Sequence, residues 1–297
     1  METSVGFDFP EYPRSVYVFV LRTTLEGTKQ GAAGWQNYSR DILEGLCGLK
    51  SVPQDPAVFY GEDSEGFFLC STHSDDFCVV FTSQRLRDLV FSTMNQFVKL
   101  RNDGPLVHHL GVDILRDPES GVMKLHQQQY VLDVVEKFKH YGLAVRVTPM
   151  AKGQVIPRGQ LASPEDRLAG DALPIKQILG ALLWLAQNRR PDIKLAVHLM
   201  AQYCGCPIPA HFDLLLDILG YLWGTSGYGL VYVDPRNISY HSFYGGFRGE
   251  WGIPDVWGDN LTAFCDSDWA NCTESRRSRG AYIFFFKGAL ISCHARP

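Results

Sequence analysis

The stretch Phe67–Ser83, F-F-L-C-S-T-H-S-D-D-F-C-V-V-F-T-S, constrains this chain more than any other. Two apolar runs, Phe67–Cys70 and Phe77–Phe81, flank a polar tip with adjacent carboxylates, Asp75 and Asp76. Short apolar runs rich in Phe and Val predict buried strands. The stretch therefore predicts a hairpin with both acids at its turn. Neighbouring side chains of a strand point to opposite faces, but a tight turn relaxes that rule and lets both carboxylates approach one site. Side by side they repel unless something positive lies between them. The usual positive object is Mg²⁺, which takes one or two carboxylates plus substrate phosphates. A lone Asp-Asp pair is more often solvated turn chemistry than a metal site, so the surrounding chain has to decide.

The chain has 297 residues, enough for two domains and a sizeable core. A hydrophobic content of 45% with 20% charged residues is that of a soluble globular protein. The net charge of -4 argues against nucleic-acid binding by the surface as a whole, so a nucleic-acid protein of this charge needs local basic patches. Eight cysteines are scattered without C-x-x-C pairs, and Cys204-Gly205-Cys206 is too tight for ordinary zinc spacing. Reduced thiols in an intracellular protein, cytoplasmic or nuclear, are expected. No signal peptide is expected from the first residues, and no run reaches the length of a membrane span.

Along the chain, Val16–Leu21 predicts a strand. Trp35, Tyr38, Ile42, Leu43 and Leu46 then fall at helical spacing. Pro53, Asp55 and Pro56 lead into the hairpin. Beyond it, Leu86 to Val98 predicts an amphipathic helix, and His109–Ile114 a strand paired with Lys124–Gln127. A further helix runs from Tyr130 to Phe138 and stops near Gly142. A polar linker is expected over residues 151–170. Helices dominate from Ile175 to Trp223, with Pro191 as a first helical residue and Gly224 as a stop. From Leu230 the pattern returns to strands: Leu230–Val233, Leu261–Cys265, Ala281–Phe286 and Ala289–Ser292, with a Gly-rich aromatic insertion over Asp234–Asn260. Asp266 and Asp268 are expected at the end of the second of these strands, a plausible but weak metal-ligand pattern. Arg276, Arg277 and Arg279 form a small basic cluster, either a solvated turn or a phosphate contact.

Seven segments in order resemble the reverse transcriptase and early ribonuclease H region of copia-type LTR retrotransposon Pol polyproteins. Leu25–Trp35 resembles the family's "LYGLKQ…W", and Ser74-Asp75-Asp76 falls where it has "YVDD". Leu110–Ile114 resembles "LGIEI", and Gly180–Ile193 resembles "GSLMYL…TRPDI". His211 with Tyr221–Thr225 resembles "H…YLKGT"; Ala263–Ala270 resembles "GYSDADWA"; Arg277–Tyr282 resembles "RSTSGY".

The resemblance implies a mixed α+β fold. Residues 1–150 would be a reverse-transcriptase palm/thumb-like unit, 151–229 a helical connection, and 230–297 the start of a ribonuclease H-like sheet. It implies an RNA-directed DNA polymerase whose partners are an RNA or DNA template-primer and dNTPs, with no membrane. Asp75 and Asp76 would hold Mg²⁺ against the nucleotide phosphates, Lys29 and Gln30 would lie near the nucleotide pocket, and Asp266 would be the first metal acid of the ribonuclease H site.

The match has departures. The family's further palm Asp, on a strand upstream of its "P-G-F", is expected to be missing here, where Val5-Gly6-Phe7 lies close to Met1. His73-Ser74 replaces Tyr-Val before the acids, and Arg279 replaces a Thr. The later ribonuclease H acids are expected beyond Pro297. Both metal sites are thus expected to be incomplete, primer extension by the 297 residues to be absent, and the last sheet to have an unpaired edge with a poorly ordered final segment. A domesticated, non-catalytic module that binds nucleic acid or protein is the alternative. An unrelated Mg²⁺-dependent hydrolase fits the ordered motifs poorly.

Overall fold

A computed structural model describes residues 28–119, 121–232, 261–269, 278–286 and 289–296. The expected strand Val16–Leu21, the insertion Asp234–Asn260, and Arg276 with Arg277 lie outside the described residues. The chain divides into two compact units, with the division between Pro105 and Leu106. That division coincides with neither expected boundary, at 150/151 or at 229/230.

In the first unit, α1 (Lys29–Gly45) starts where the Thr28 hydroxyl accepts the Gly31 N–H at 3.0 Å, a side-chain N-cap. Strands β1 (Lys50–Val52), β2 (Asp55–Asp63), β3 (Gly66–His73) and β4 (Asp76–Phe81) form an antiparallel sheet in that order. Helix α2 (Gln84–Met94) follows. Ile42 and Leu43 of α1, Leu86, Val90 and Met94 of α2, and Phe59, Phe68 and Cys70 of the sheet make one apolar core. At a side-chain period of two, Phe68 and Cys70 point into that core while Phe67 and Leu69 point away. The expectation of two buried strands holds only for the inward residues of β3. Strand β4 is an edge strand, and its Val79, Val80 and Phe81 remain exposed among the described residues.

One carboxylate ties the first unit together. Asp63 accepts N–H bonds from Glu65 at 2.9 Å and Gly66 at 3.2 Å, which shapes the β2–β3 turn. Its other oxygen accepts from the Ser83 hydroxyl and the Arg85 guanidinium, both at 2.9 Å. Ser83 is also the N-cap of α2 and accepts the Leu86 N–H at 3.1 Å. Gly66 closes this corner at φ 137°, where a Cβ would lie 2.1 Å from the Thr82 hydroxyl, so only glycine fits.

In the second unit, β5 (His108–His109), β6 (Val112–Arg116) and β7 (Met123–His126) form a meander. Leu110 and Gly111, expected within a strand, instead make the two-residue β5–β6 turn, with φ of 49° and 74°. Positive φ at both central positions marks the turn type that fits antiparallel twist. Helix α3 (Gln128–Phe138) follows, and Gly142 ends the subsequent 3₁₀ turn at φ 80°. The expected linker contains a helix of its own, α4 (Pro164–Ala172), started by Ser163. Next come α5 (Ile175–Asn188), a 3₁₀ turn opened by Pro191, α6 (Lys194–Ala201) and α7 (Pro209–Gly224). Ile178, Leu182 and Leu185 of α5, Val197 of α6, and Leu215, Ile218, Leu219 and Leu222 of α7 are fully buried in a core shared with α3. His211 on α7 fastens the preceding loop. Its Nδ1 accepts the Ile208 N–H at 3.3 Å, and its Nε2 donates to the Pro157 carbonyl at 2.7 Å.

Strand β8 (Gly229–Tyr232) pairs with β7 and so joins the β5–β7 sheet. Leu230, expected to open a separate domain, therefore lies in a sheet begun at His108. Strands β9 (Leu261–Ser267), β10 (Gly280–Phe286) and β11 (Ala289–Arg296) form a second sheet with β10 central. The final segment is not loose, because β11 pairs with β10 from Ala289 to Arg296. Its outer edge is also occupied. The Cys293 carbonyl accepts from Lys194 Nζ and the Ala295 carbonyl from His198 Nδ1, each at 2.7 Å, and the Leu290 carbonyl accepts from the Tyr232 hydroxyl at 3.2 Å. Among the described residues no single helix is long and apolar enough to cross a membrane.

Candidate functional site

The hairpin tip holds the first candidate. His73 pairs with Asp76 across β3 and β4, leaving Ser74 and Asp75 as the two turn residues. Asp75 thus lies in the turn, while Asp76 is the first residue of β4 rather than part of the tip. Ser74 has φ 52°, a conformation that most side chains avoid. The turn is held from behind, because the Trp35 indole N–H donates to the Ser74 carbonyl. The same ring meets Phe77 edge-on at 6.5 Å between centroids and Tyr38 at 6.3 Å. Helix α1 therefore grips the peptide that carries Asp75. Both carboxylates are exposed, and among the described residues neither has a hydrogen-bond or ion-pair partner.

Lys29 and Gln30 lie in the first turn of α1 and are exposed. They are six and five residues before Trp35, which places them about 9 Å or less from it along the helix axis. Beneath the hairpin, Cys70 is buried, and that burial, with Cys78 nearby, pushes its thiol up to about 12. Cys70 is packing, not a nucleophile.

The second candidate, Asp266, lies in the second unit. It sits inside β9 rather than at its end, paired with Ala281, because the strand continues to Ser267. Asp266 is exposed, and its side chain accepts the Ser267 N–H at 2.9 Å. Asp268 is otherwise engaged: its carboxylate accepts the Arg279 N–H at 2.6 Å, and its own N–H bonds the Arg279 carbonyl at 3.0 Å. Asp268 closes the β9–β10 pairing. Among the described residues no three His, Cys, Asp or Glu side chains gather as a metal-binding group. A Mg²⁺ ion asks for less, since one or two carboxylates completed by water and substrate phosphates suffice. The open Asp75–Asp76 pair fits that donor set.

A third constellation, which local sequence patterns missed, joins two motif segments. Arg190 is only 2% exposed. Its Nε lies 3.0 Å and its Nη2 2.7 Å from the Asp192 carboxylate, while Nη1 and Nη2 donate to the Thr225 carbonyl and hydroxyl at 3.1 and 2.6 Å. The Tyr221 hydroxyl donates to Asp192 at 2.9 Å, and the Tyr221 and Tyr228 rings lie 5.5 and 5.7 Å from the guanidinium carbon. Burial, with Asp192 beside it, pushes the Tyr221 phenol above its usual range despite the nearby Arg190. Arg190-Pro191-Asp192 and Tyr221–Thr225 thus interlock as one structural joint.

Sequence comparison bears on what these motifs belong to. The chain is 25% identical over 284 residues to the retrovirus-related Pol polyprotein from transposon RE1 of Arabidopsis thaliana, covering 96% of this chain and 17% of that protein. It is 24% identical over 298 residues to the corresponding polyprotein from transposon TNT 1-94 of Nicotiana tabacum, covering 100% of this chain and 21% of that protein. An uncharacterized mitochondrial protein of Arabidopsis thaliana is 28% identical over 222 residues, 75% of this chain and 80% of that protein. No family model matches the chain, and no solved structure matches it. Over nearly its whole length the chain is similar to retrovirus-related Pol polyproteins of transposons. It spans 17% and 21% of the length of the two polyproteins compared.

Proposed function

We propose that the first unit is the metal-bearing part of an RNA-directed DNA polymerase, with Asp75 and Asp76 as its metal-holding acids. The observation that carries this reading is the turn itself. Two neighbouring carboxylates stand exposed and, among the described residues, unpartnered, on a peptide whose carbonyl is held by Trp35 from a separate helix. An enzyme site requires its reactive groups on rigid elements and free of competing partners. When bound, Mg²⁺ neutralises charge on the phosphates of an incoming nucleotide. Asp75 and Asp76 supply the negative field and the oxygen donors. Trp35 fixes where Asp75 can reach, and Lys29 and Gln30, at the start of the same helix, approach the nucleotide. Asp266, in the second unit, is the first acid of a ribonuclease H-like site in this reading.

Mn²⁺ serves as a spectroscopic stand-in for Mg²⁺. Enhancement of Mn²⁺ water-proton relaxation by the protein, increased by a dNTP, is the expected result, and it is lost in the double variant Asp75→Asn, Asp76→Asn. Undiminished Mn²⁺ and dNTP binding in that variant refutes the assignment.

A further inference from the structure

A groove of about 340 Å³ in the second unit lies between β7, β8 and the end of α5. Lys124 comes from β7, Arg189 and Arg190 from the α5 exit, and Tyr228 from the approach to β8. The charges around it do not cancel. Arg190 and Asp192 neutralise each other in the joint described above, and the remaining oxygens of that joint are already bonded. Lys124 and Arg189 have no carboxylate at ion-pair distance among the described residues. Among the described residues the Arg189 Nη1 donates only to the neighbouring Asn188 carbonyl, at 2.9 Å, and its buried Nε–H has no partner. Beside the two cations stands the Tyr228 ring, with Arg190 within cation–π distance and 60% of the residue exposed.

We propose that this groove binds a nucleotide unit, with its phosphate on Lys124 and Arg189 and its base against the Tyr228 ring. Two cations without a carboxylate partner among the described residues are what a phosphate requires. An exposed aromatic beside them is the stacking surface that unpaired bases use. The volume suits one nucleotide rather than a duplex. The net charge of -4 is no obstacle, because the local groove carries the positive charge that the surface as a whole lacks. The proposal stands apart from the Asp75–Asp76 reading, since no metal ion enters it.

The test is fluorescence anisotropy of the full chain with a labelled oligothymidylate of about 10 nucleotides, run with chelator and without divalent cation. Thymidine monophosphate and inorganic phosphate serve as competitors. The wild-type protein binds the strand at low salt. Lys124→Gln and Arg189→Gln each weaken binding about tenfold and flatten the salt dependence by about 0.7 per cation lost. Tyr228→Ala weakens strand binding and leaves competition by inorganic phosphate in place. Displacement by the mononucleotide marks a free-nucleotide site, and displacement by longer strands alone marks a strand site; either result supports the groove. Wild-type affinity and salt slope in Lys124→Gln and Arg189→Gln proteins of unchanged melting temperature overturn the proposal. Should a basic variant melt early, Tyr228→Ala decides alone, and wild-type strand affinity in that protein overturns it.

Discussion

The carboxylates of the hairpin and the carboxylate of the Arg190 joint are opposites. Asp192 is surrounded by donors from Arg190 and Tyr221, so its charge is consumed in holding the chain together. Asp75 and Asp76 are exposed and receive nothing from the described residues. Both places lie in segments with family-like sequence, yet one is built as a fastener and the other is left available. A motif residue therefore does not announce chemistry by its identity, and the partners already on it decide what it can still do.

The contrast can be broken or sharpened by measurement. Arg190→Ala has the largest expected effect: it strands Asp192 and removes a buried cation, costing about 3 kcal/mol or more. A denaturant midpoint close to wild type would show that the joint is ornamental. Trp35→Phe keeps the contact with Phe77 and deletes the donor to Ser74, so the stability loss is about 1 kcal/mol or less. Its sharper signature is weakened Mn²⁺ and dNTP binding at a nearly unchanged melting temperature.

Acid separates a third carboxylate from the hairpin pair. Burial alone would raise the Asp63 carboxyl, but the Glu65 N–H, the Ser83 hydroxyl and Arg85 outweigh it and hold the group below its usual range. A lowered folded value means that the contribution is present above about pH 4. It is lost as pH falls through that folded value. Melting temperature measured against pH in the acid range shows this limb, and Asp63→Asn flattens it. The smallest effect belongs to Asp75→Asn with Asp76→Asn, which changes stability by about 0.5 kcal/mol or less. A large loss there would mean that the acids have structural partners after all.

Much of this was legible in the sequence, and the misses share a cause. The β3–β4 hairpin and helices α2, α3, α5 and α7 follow from local periodicity, because burial on one face forces it. Strand β2 was missed because Asp55 and Pro56 read as turn residues. Pro56 is tolerated there because pairing with β3 begins only at Val58. Asp266 was placed at a strand end because an acid is a poor strand former, but pairing with Ala281 carries the strand past it. The grip of Trp35 on Ser74 spans 39 residues, and that of Arg190 on Thr225 spans 35. No local pattern encodes such a contact. Pro191 reads locally as a helix start, and nothing in Arg-Arg-Pro-Asp shows that α7 buries Arg190.

The capped margin of β11 has a consequence for how copies of this protein meet. An open strand margin is a template on which another chain can add a strand, the route to swapped dimers and fibrils. Here an arriving strand would have to displace the Lys194 ammonium, the His198 imidazole and the Tyr232 phenol from the carbonyls it needs. Growth of that sheet from this side is blocked by three side chains that the same polypeptide supplies.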